Sequence, residues 1–248
     1  MDRAGRSRSI GRLPRDPGPG AARESFLQSK GTLMQFVRRT EWGAPATSPS
    51  AQLDSARGTK VHYLGTAYSS RAHSQCGPYV RQIRESHLNH PSENWNDIAY
   101  NLLACEHGYV FEGRGVRKRS GANGNATLNT DHYAICALLG ASGLTRPPDP
   151  MLTALRDGID HLRANGAGGE IRGHRDGIAT ACPGDPLYAW VRDGAPRPGG
   201  TVHVVREGET LYSIGRQYGV PWQSIAEANN IPEPYTIYPG QRLVVPGG

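Results

Sequence analysis

Phenylalanine is nearly missing from this chain, with three in 248 residues, so the apolar core is expected to be lean. The four cysteines, Cys76, Cys105, Cys136 and Cys182, are widely spaced and exclude a dense disulfide framework. Cys105 and Cys136 lie in apolar runs and read as small buried hydrophobes. No stretch approaches the roughly 18 consecutive apolar residues that a membrane span needs. The N-terminus carries arginines but no apolar segment ahead of a cleavage site. The expectation is synthesis in the cytoplasm without a signal peptide, with any action outside depending on separate release. What is abundant is glycine (32) and proline (19), which predicts many loops and no extended coiled coil.

The net charge of +6 raises the question of a polyanionic partner, and the location of the charge answers part of it. Residues 1–33 hold seven basic against three acidic side chains, a net +4, whereas the chain from Thr201 onward has three arginines against four glutamates. The excess therefore sits mainly in a Gly-, Pro-, Arg- and Ser-rich arm that reads as disordered. Nucleic-acid binding would rest on composition alone and is not expected; a cell wall bearing anionic polymers suits the remaining balance. Residues 194–200 (GAPRPGG) have the composition of a linker. The length accommodates two domains. The expected layout is an arm over 1–33, a larger domain over 34–193, the linker, and a small domain over 201–248.

Within the larger domain, Lys60 to Leu64, Ile98 to Cys105, Tyr109 to Glu112 and His132 to Leu139 read as strands. Tyr79 to Leu88, Met151 to Ala164 and Pro186 to Arg192 read as helices. The fold class is α/β, a central mixed β-sheet flanked by helices. His62 falls within a strand, and His174 lies eight positions before Cys182 on a loop ahead of the last helix. Two imidazoles and one thiolate make a three-ligand set for Zn2+ that leaves a fourth tetrahedral position open, the pattern of a hydrolytic site. The other histidines, His73, His87, His90, His107, His132, His161 and His203, lack a partnered spacing and read as bystanders.

Five ordered motifs carry a family resemblance across about residues 38–193. They are Arg39-Thr40-Glu41-Trp42-Gly43-Ala44, Val61-His62-Tyr63, Trp95 through Asn101, Gly108 through Gly115, and Gly173-His174-Arg175-Asp176 with Cys182-Pro183-Gly184. In order and spacing this stretch resembles the zinc amidases of the peptidoglycan recognition protein and bacteriophage lysozyme type. The resemblance implies an N-acetylmuramoyl-L-alanine amidase, which cuts the amide between muramic acid and the first alanine of the stem peptide. It implies His62, His174 and Cys182 as zinc ligands and Tyr100 as the active-site tyrosine, a phenol suited to donating a hydrogen bond to the oxyanion. Packing the sheet is the other reading of Tyr100.

Thr180 stands where phage lysozymes of this type carry lysine and animal recognition-type amidases carry threonine; it can donate a hydrogen bond but supplies no charge. Ser120-Gly121-Ala122 stands where the family often has a histidine. Glu112 and Arg114 read as a local ion pair or turn contact, and Asp176 as a loop cap or a partner of Arg175. The alternative from another class is a recognition protein that binds muropeptide without cleaving it. Retention of Cys182 speaks against that reading, because members without activity commonly lose this ligand.

Beyond the linker, residues 201–246 resemble a LysM domain of βααβ order. Thr201 to Val205 alternates as a strand, Thr210 caps a first helix, a second runs from about Trp222 to Ala228, and Tyr238 to Pro246 returns as a strand. The resemblance implies binding to N-acetylglucosamine-containing glycan, with Gly208, Thr210, Leu211, Ile231 and Pro232 at the matching positions; a purely structural role is the other reading of Gly208 and Leu211. A weak sugar binder tethered beside a catalytic domain raises the effective concentration of the latter on an insoluble polymer. The whole reads as a modular, endolysin-like peptidoglycan hydrolase.

Overall fold

The computed structural model describes residues 34–229 and 231–246; the basic arm expected over residues 1–33 lies outside the described residues. The larger domain runs β1 (Gln35–Val37), β2 (Ala56–Tyr63), β3 (Ala67–Tyr68), α1 (Cys76–Leu88), β4 (Leu102–Ala104), β5 (Tyr109–Glu112), α2 (Ala126–Asp131), β6 (His132–Ala137), β7 (Ser142–Gly143), α3 (Asp149–Arg163), β8 (Ala167–Gly173) and α4 (Asp185–Arg192). Six strands form one sheet in the order β1-β5-β4-β6-β2-β8, while β3 and β7 pair separately. Only the β4–β5 pairing in the large sheet is antiparallel, so the sheet is mixed, as expected.

Both faces of this sheet are covered, and that explains the near-continuous apolar runs in β4 and β6. Leu102, Ala104, Tyr133 and Ile135 pack beneath α3 and α4, whereas Leu103 and Cys136 turn to the opposite face with Val80 and Ile83 of α1. On α3, Met151, Ala154, Leu155, Gly158, Ile159 and Leu162 form a buried stripe at helical spacing. Gly158 sets the distance of closest approach: a Cβ there would lie 2.5 Å from Ile135 Cδ1.

Several boundaries differ from the sequence reading for physical reasons. Helix α1 begins at Cys76, three residues before Tyr79, because Pro78 falls in the first turn, where a missing N–H costs no helical bond. The expected strand Ile98 to Cys105 contributes only Leu102–Ala104 to the ladder. Before it, the Asn101 side chain donates to Gly115 O at 2.9 Å and accepts from the Ala134 N–H at 2.9 Å. Strand β8 had little signal, since Ala167-Gly168-Gly169-Glu170 holds no β-former and Ile171 stands alone; among the described residues it is an edge strand that pairs only with β2.

The small domain has the expected order: β9 (Thr201–Val204), α5 (Leu211–Tyr218), α6 (Trp222–Asn229) and β10 (Arg242–Val245). Thr210 caps α5, its hydroxyl accepting from the Ser213 N–H at 3.1 Å. Leu211, Ile214, Ile225, Leu243 and Val245 fill its core. The linker is less free than its composition suggests. Ala195 is fully buried, and the Arg156 guanidinium of α3 donates to Ala195 O at 3.2 Å and to Ala228 O of α6 at 2.9 Å.

Candidate metal centre and groove

Strand β2 alternates across the sheet, so Val61 enters the α3 face while His62 turns to the other and is 1% exposed. Its parallel neighbour β8 places Gly173 opposite Val61. His174 opens a 3-10 turn immediately after β8, so both histidines emerge at the C-terminal ends of adjacent parallel strands. Asp176 holds that turn, accepting from the Gly173 N–H at 2.7 Å and from the Tyr188 hydroxyl at 2.5 Å. Asp176 is thus the loop cap, and Arg175 pairs with Asp185 instead. Cys182 is pinned in the following loop: Arg175 N donates to its carbonyl at 3.0 Å, its own N–H donates to Thr180 Oγ1 at 3.2 Å, and the Tyr63 N–H points at its sulfur at 3.4 Å.

One ligand atom from each of His62, His174 and Cys182 lies within 4.8 Å of the others. Cys182 Sγ is 3.7 Å from His62 Nδ1. Asn123, which no motif singled out, decides the tautomer. Its amide nitrogen faces Ser120 Oγ, Leu128 O and His132 O at 2.9, 3.1 and 2.7 Å. Its Oδ1 must therefore be the atom 2.9 Å from His62 Nε2. That oxygen accepts, so His62 Nε2 carries the proton and Nδ1 presents its lone pair toward the thiol. His174 also hydrogen-bonds to the Asn123 backbone, and its Nε2 is buried without a partner.

The electrostatics agree with a cation cradle. Burial, then the neighbouring His174, pushes His62 down to about 3. Burial, then Lys60, takes His174 down to about 4. Burial pushes the Cys182 thiol up to about 11. Two neutral imidazoles with converging lone pairs, an orphaned buried nitrogen and one thiol are a donor set that fits Zn2+. Replacing Asn123 by alanine should lower Zn2+ affinity about 10–100-fold, the usual cost of losing an outer partner of a ligating histidine. Competition against a chromophoric chelator reads this, and unchanged affinity would remove Asn123 from the site.

The trio forms part of the wall of a groove of about 1120 Å³, which also reaches Tyr100, Thr180, Trp95 and Arg119. Tyr100 stands beside His62, ring centroids 5.5 Å apart. Burial, with the nearby Cys136 and Cys182, pushes its phenol well above its ordinary range, so it remains a neutral O–H donor. Thr180 spends a lone pair on the Cys182 N–H and keeps its own O–H to donate. His87, read as a bystander, lines the groove with its Nδ1 accepting from Ala99 N at 3.0 Å. Ser120, Gly121 and Ala122 line it too.

Glu112 and Arg114 are structural, as expected: Arg114 donates to Ile98 O and, locally, to Arg119 O, whereas Glu112 accepts from Arg39 N, so of the two readings the turn contact is found and the mutual ion pair is not. In the small domain Thr210 is the cap read from the sequence, Leu211 lies in the core and Gly208 in a turn at φ +80°. Ile231 and Pro232 do line a surface groove of about 560 Å³, beside Tyr235 and Gln223.

A LysM domain model matches residues 203–246. Peptidoglycan recognition protein 1 of Mus musculus is 30% identical over 163 residues, which cover 62% of this chain and 84% of that protein. An N-acetylmuramoyl-L-alanine amidase of Sus scrofa is 31% identical over 121 residues, 47% of this chain but only 19% of that protein. Among solved structures, a Drosophila PGRP-LB mutant in complex with tracheal cytotoxin has a TM-score of 0.56 at 22% identity, covering 63% of this chain and 92% of that one, a likeness of fold.

Proposed function

The chain belongs to the peptidoglycan recognition protein family, and on that premise we propose that it is a zinc-dependent N-acetylmuramoyl-L-alanine amidase acting on bacterial peptidoglycan. The observation that carries the reading is the gathering of His62, His174 and Cys182 in the wall of an open groove, one ligand atom of each within 4.8 Å of the others and His174 Nε2 buried without a partner. Zn2+ held by these three would supply Lewis-acid chemistry, polarising an amide carbonyl and acidifying water near neutral pH. The remaining work falls to the chain itself. Asn123 fixes the orientation of both imidazoles. Tyr100, a neutral phenol in the groove wall, would donate to the developing oxyanion. Thr180 holds the Cys182 backbone and offers a second donor. Trp95 and His87, with ring centroids 4.6 Å apart, build an aromatic wall suited to the flat faces of a sugar or peptide.

The small domain supports the same reading through its LysM match. A surface groove formed by Ile231, Pro232 and Tyr235 would hold N-acetylglucosamine-containing glycan and keep the catalytic groove at the polymer.

Chelation tests the reading. Stripping metal should abolish hydrolysis of a soluble muramyl-peptide, and Zn2+ should restore it. Hydrolysis that persists after stripping, or none from the zinc-loaded protein, contradicts it; the latter would leave a protein that recognises muropeptide only. Tyr100→Phe should lower kcat about 10²-fold with little change in KM, since one oxyanion donor contributes about 3 kcal/mol.

A further inference from the structure

A second cluster of metal-binding side chains lies away from the groove. Cys76 is the first residue of α1, and Cys105 follows β4 at the turn into β5. Both are fully buried and both are free thiols. A ring nitrogen of His73 and the two sulfurs all lie within 4.8 Å of one another, and Cys76 is likewise within 4.8 Å of ligand atoms of Glu106 and His107. Nothing in the spacing of these residues announces a motif; the fold brings them together.

The local geometry suits a bound thiolate. Cys105 to Tyr109 form a tight turn in which Gly108, at φ +87°, donates to Cys105 O at 3.2 Å. The Cys105 sulfur has the backbone N–H groups of His107 and Tyr109 around it, together with the Cys76 sulfur and the His73 ring. Stacking on Tyr109 at a centroid distance of 3.8 Å orients His73. Glu106 is occupied elsewhere, accepting from Tyr68 Oη at 2.8 Å and Arg71 N at 3.0 Å. His107 Nε2 donates to Arg71 O at 2.7 Å, which leaves Nδ1 with its lone pair.

We propose that His73, Cys76 and Cys105 form a second Zn2+ site. Two thiolates and an imidazole are donors that zinc takes. The ion would fasten the start of α1 to the β4–β5 turn. His87, the groove residue on this helix, lies about 16 Å further along it at 1.5 Å per residue, so the site acts on the scaffold and not on substrate.

Counting metal in a variant that lacks the groove ligands tests this independently of any activity. The full chain carrying His62→Ala and Cys182→Ser, purified under reducing conditions and loaded with Zn2+, should retain about one equivalent against about two for the unmodified chain. Adding Cys105→Ser should remove it. Titration of the double variant with Co2+ gives a second readout that requires no change at the cluster, and two thiolates should produce sulfur-to-cobalt charge-transfer absorption. A double variant that takes up no Zn2+ and shows no such band overturns the proposal, as does recovery of Cys76 and Cys105 joined in a disulfide.

Discussion

Cys182→Ser should reduce muropeptide hydrolysis by about a thousandfold or more while leaving sedimentation with purified wall nearly unchanged. The substitution removes the one donor of the trio that becomes an anion on binding a cation. Loss of several kcal/mol of transition-state charge stabilisation corresponds to about three decades in rate at 1.4 kcal/mol per decade. The groove is built from many other residues, Trp95 and Arg119 among them, and the surface groove of the small domain is separate. Both therefore persist. Rates of stem-peptide release and a pelleting assay read the two halves separately. A variant that keeps wild-type turnover would refute the assignment of Cys182.

The largest expected loss of stability comes from Asp97→Ala, about 3–5 kcal/mol, the cost of leaving a buried charge without its partner. Asp97 is wholly buried and meets Arg39, itself 1% exposed, at 3.0 Å and Arg84 at 2.7 Å. It also accepts from the Ile98 N–H at 2.9 Å. Arg39 in turn donates to Pro45 O at 2.7 Å and to Gly113 O, so this one carboxylate ties the N-terminal segment and the end of α1 to the β5 turn. At about 2–4 °C per kcal/mol for a domain of this size, the melting temperature should fall by about 10 °C. Burial raises the pKa of Asp97, but hydrogen bonds from Ser48 and Arg84 and the charge of Arg39 outweigh it and hold the carboxyl below its ordinary value. A depressed carboxylate contributes stability above its unfolded pKa of about 3.9, and that contribution disappears as pH falls through the folded value. The difference in urea midpoint between the wild type and Asp97→Asn should accordingly shrink in acid. A constant difference would contradict the ionic account.

His62, His174 and Cys182 were singled out by the His–Cys pair eight positions apart and by the family resemblance, since a lone histidine in an apolar strand says little by itself; the fold brings the three together. The sheet was legible where both faces are buried, in β5 and β6, since there the apolar run itself is the signal. Strand β8 was not, because Ala167-Gly168-Gly169-Glu170 has neither alternation nor β-branched side chains and owes its conformation to pairing with β2. Asn123 was invisible for a related reason. An asparagine between alanine and glycine looks like any turn residue, and only the α2 segment brings its amide against His62. In the small domain the Thr210 cap was legible and is found, whereas sequence position alone does not separate a residue beside a groove from one beneath it, and Leu211 lies in the core. Cys76 and Cys105 come together only through the topology.

The most direct test of the central claim is to identify the new chain ends that appear when the zinc-loaded protein acts on purified peptidoglycan. Mass spectrometry should find stem peptides with a free N-terminal alanine together with glycan strands bearing unsubstituted lactyl groups. Intact wall with the protein bound to it, or ends generated by cleavage within the glycan or within the peptide, would contradict the assignment of this groove as an amidase site.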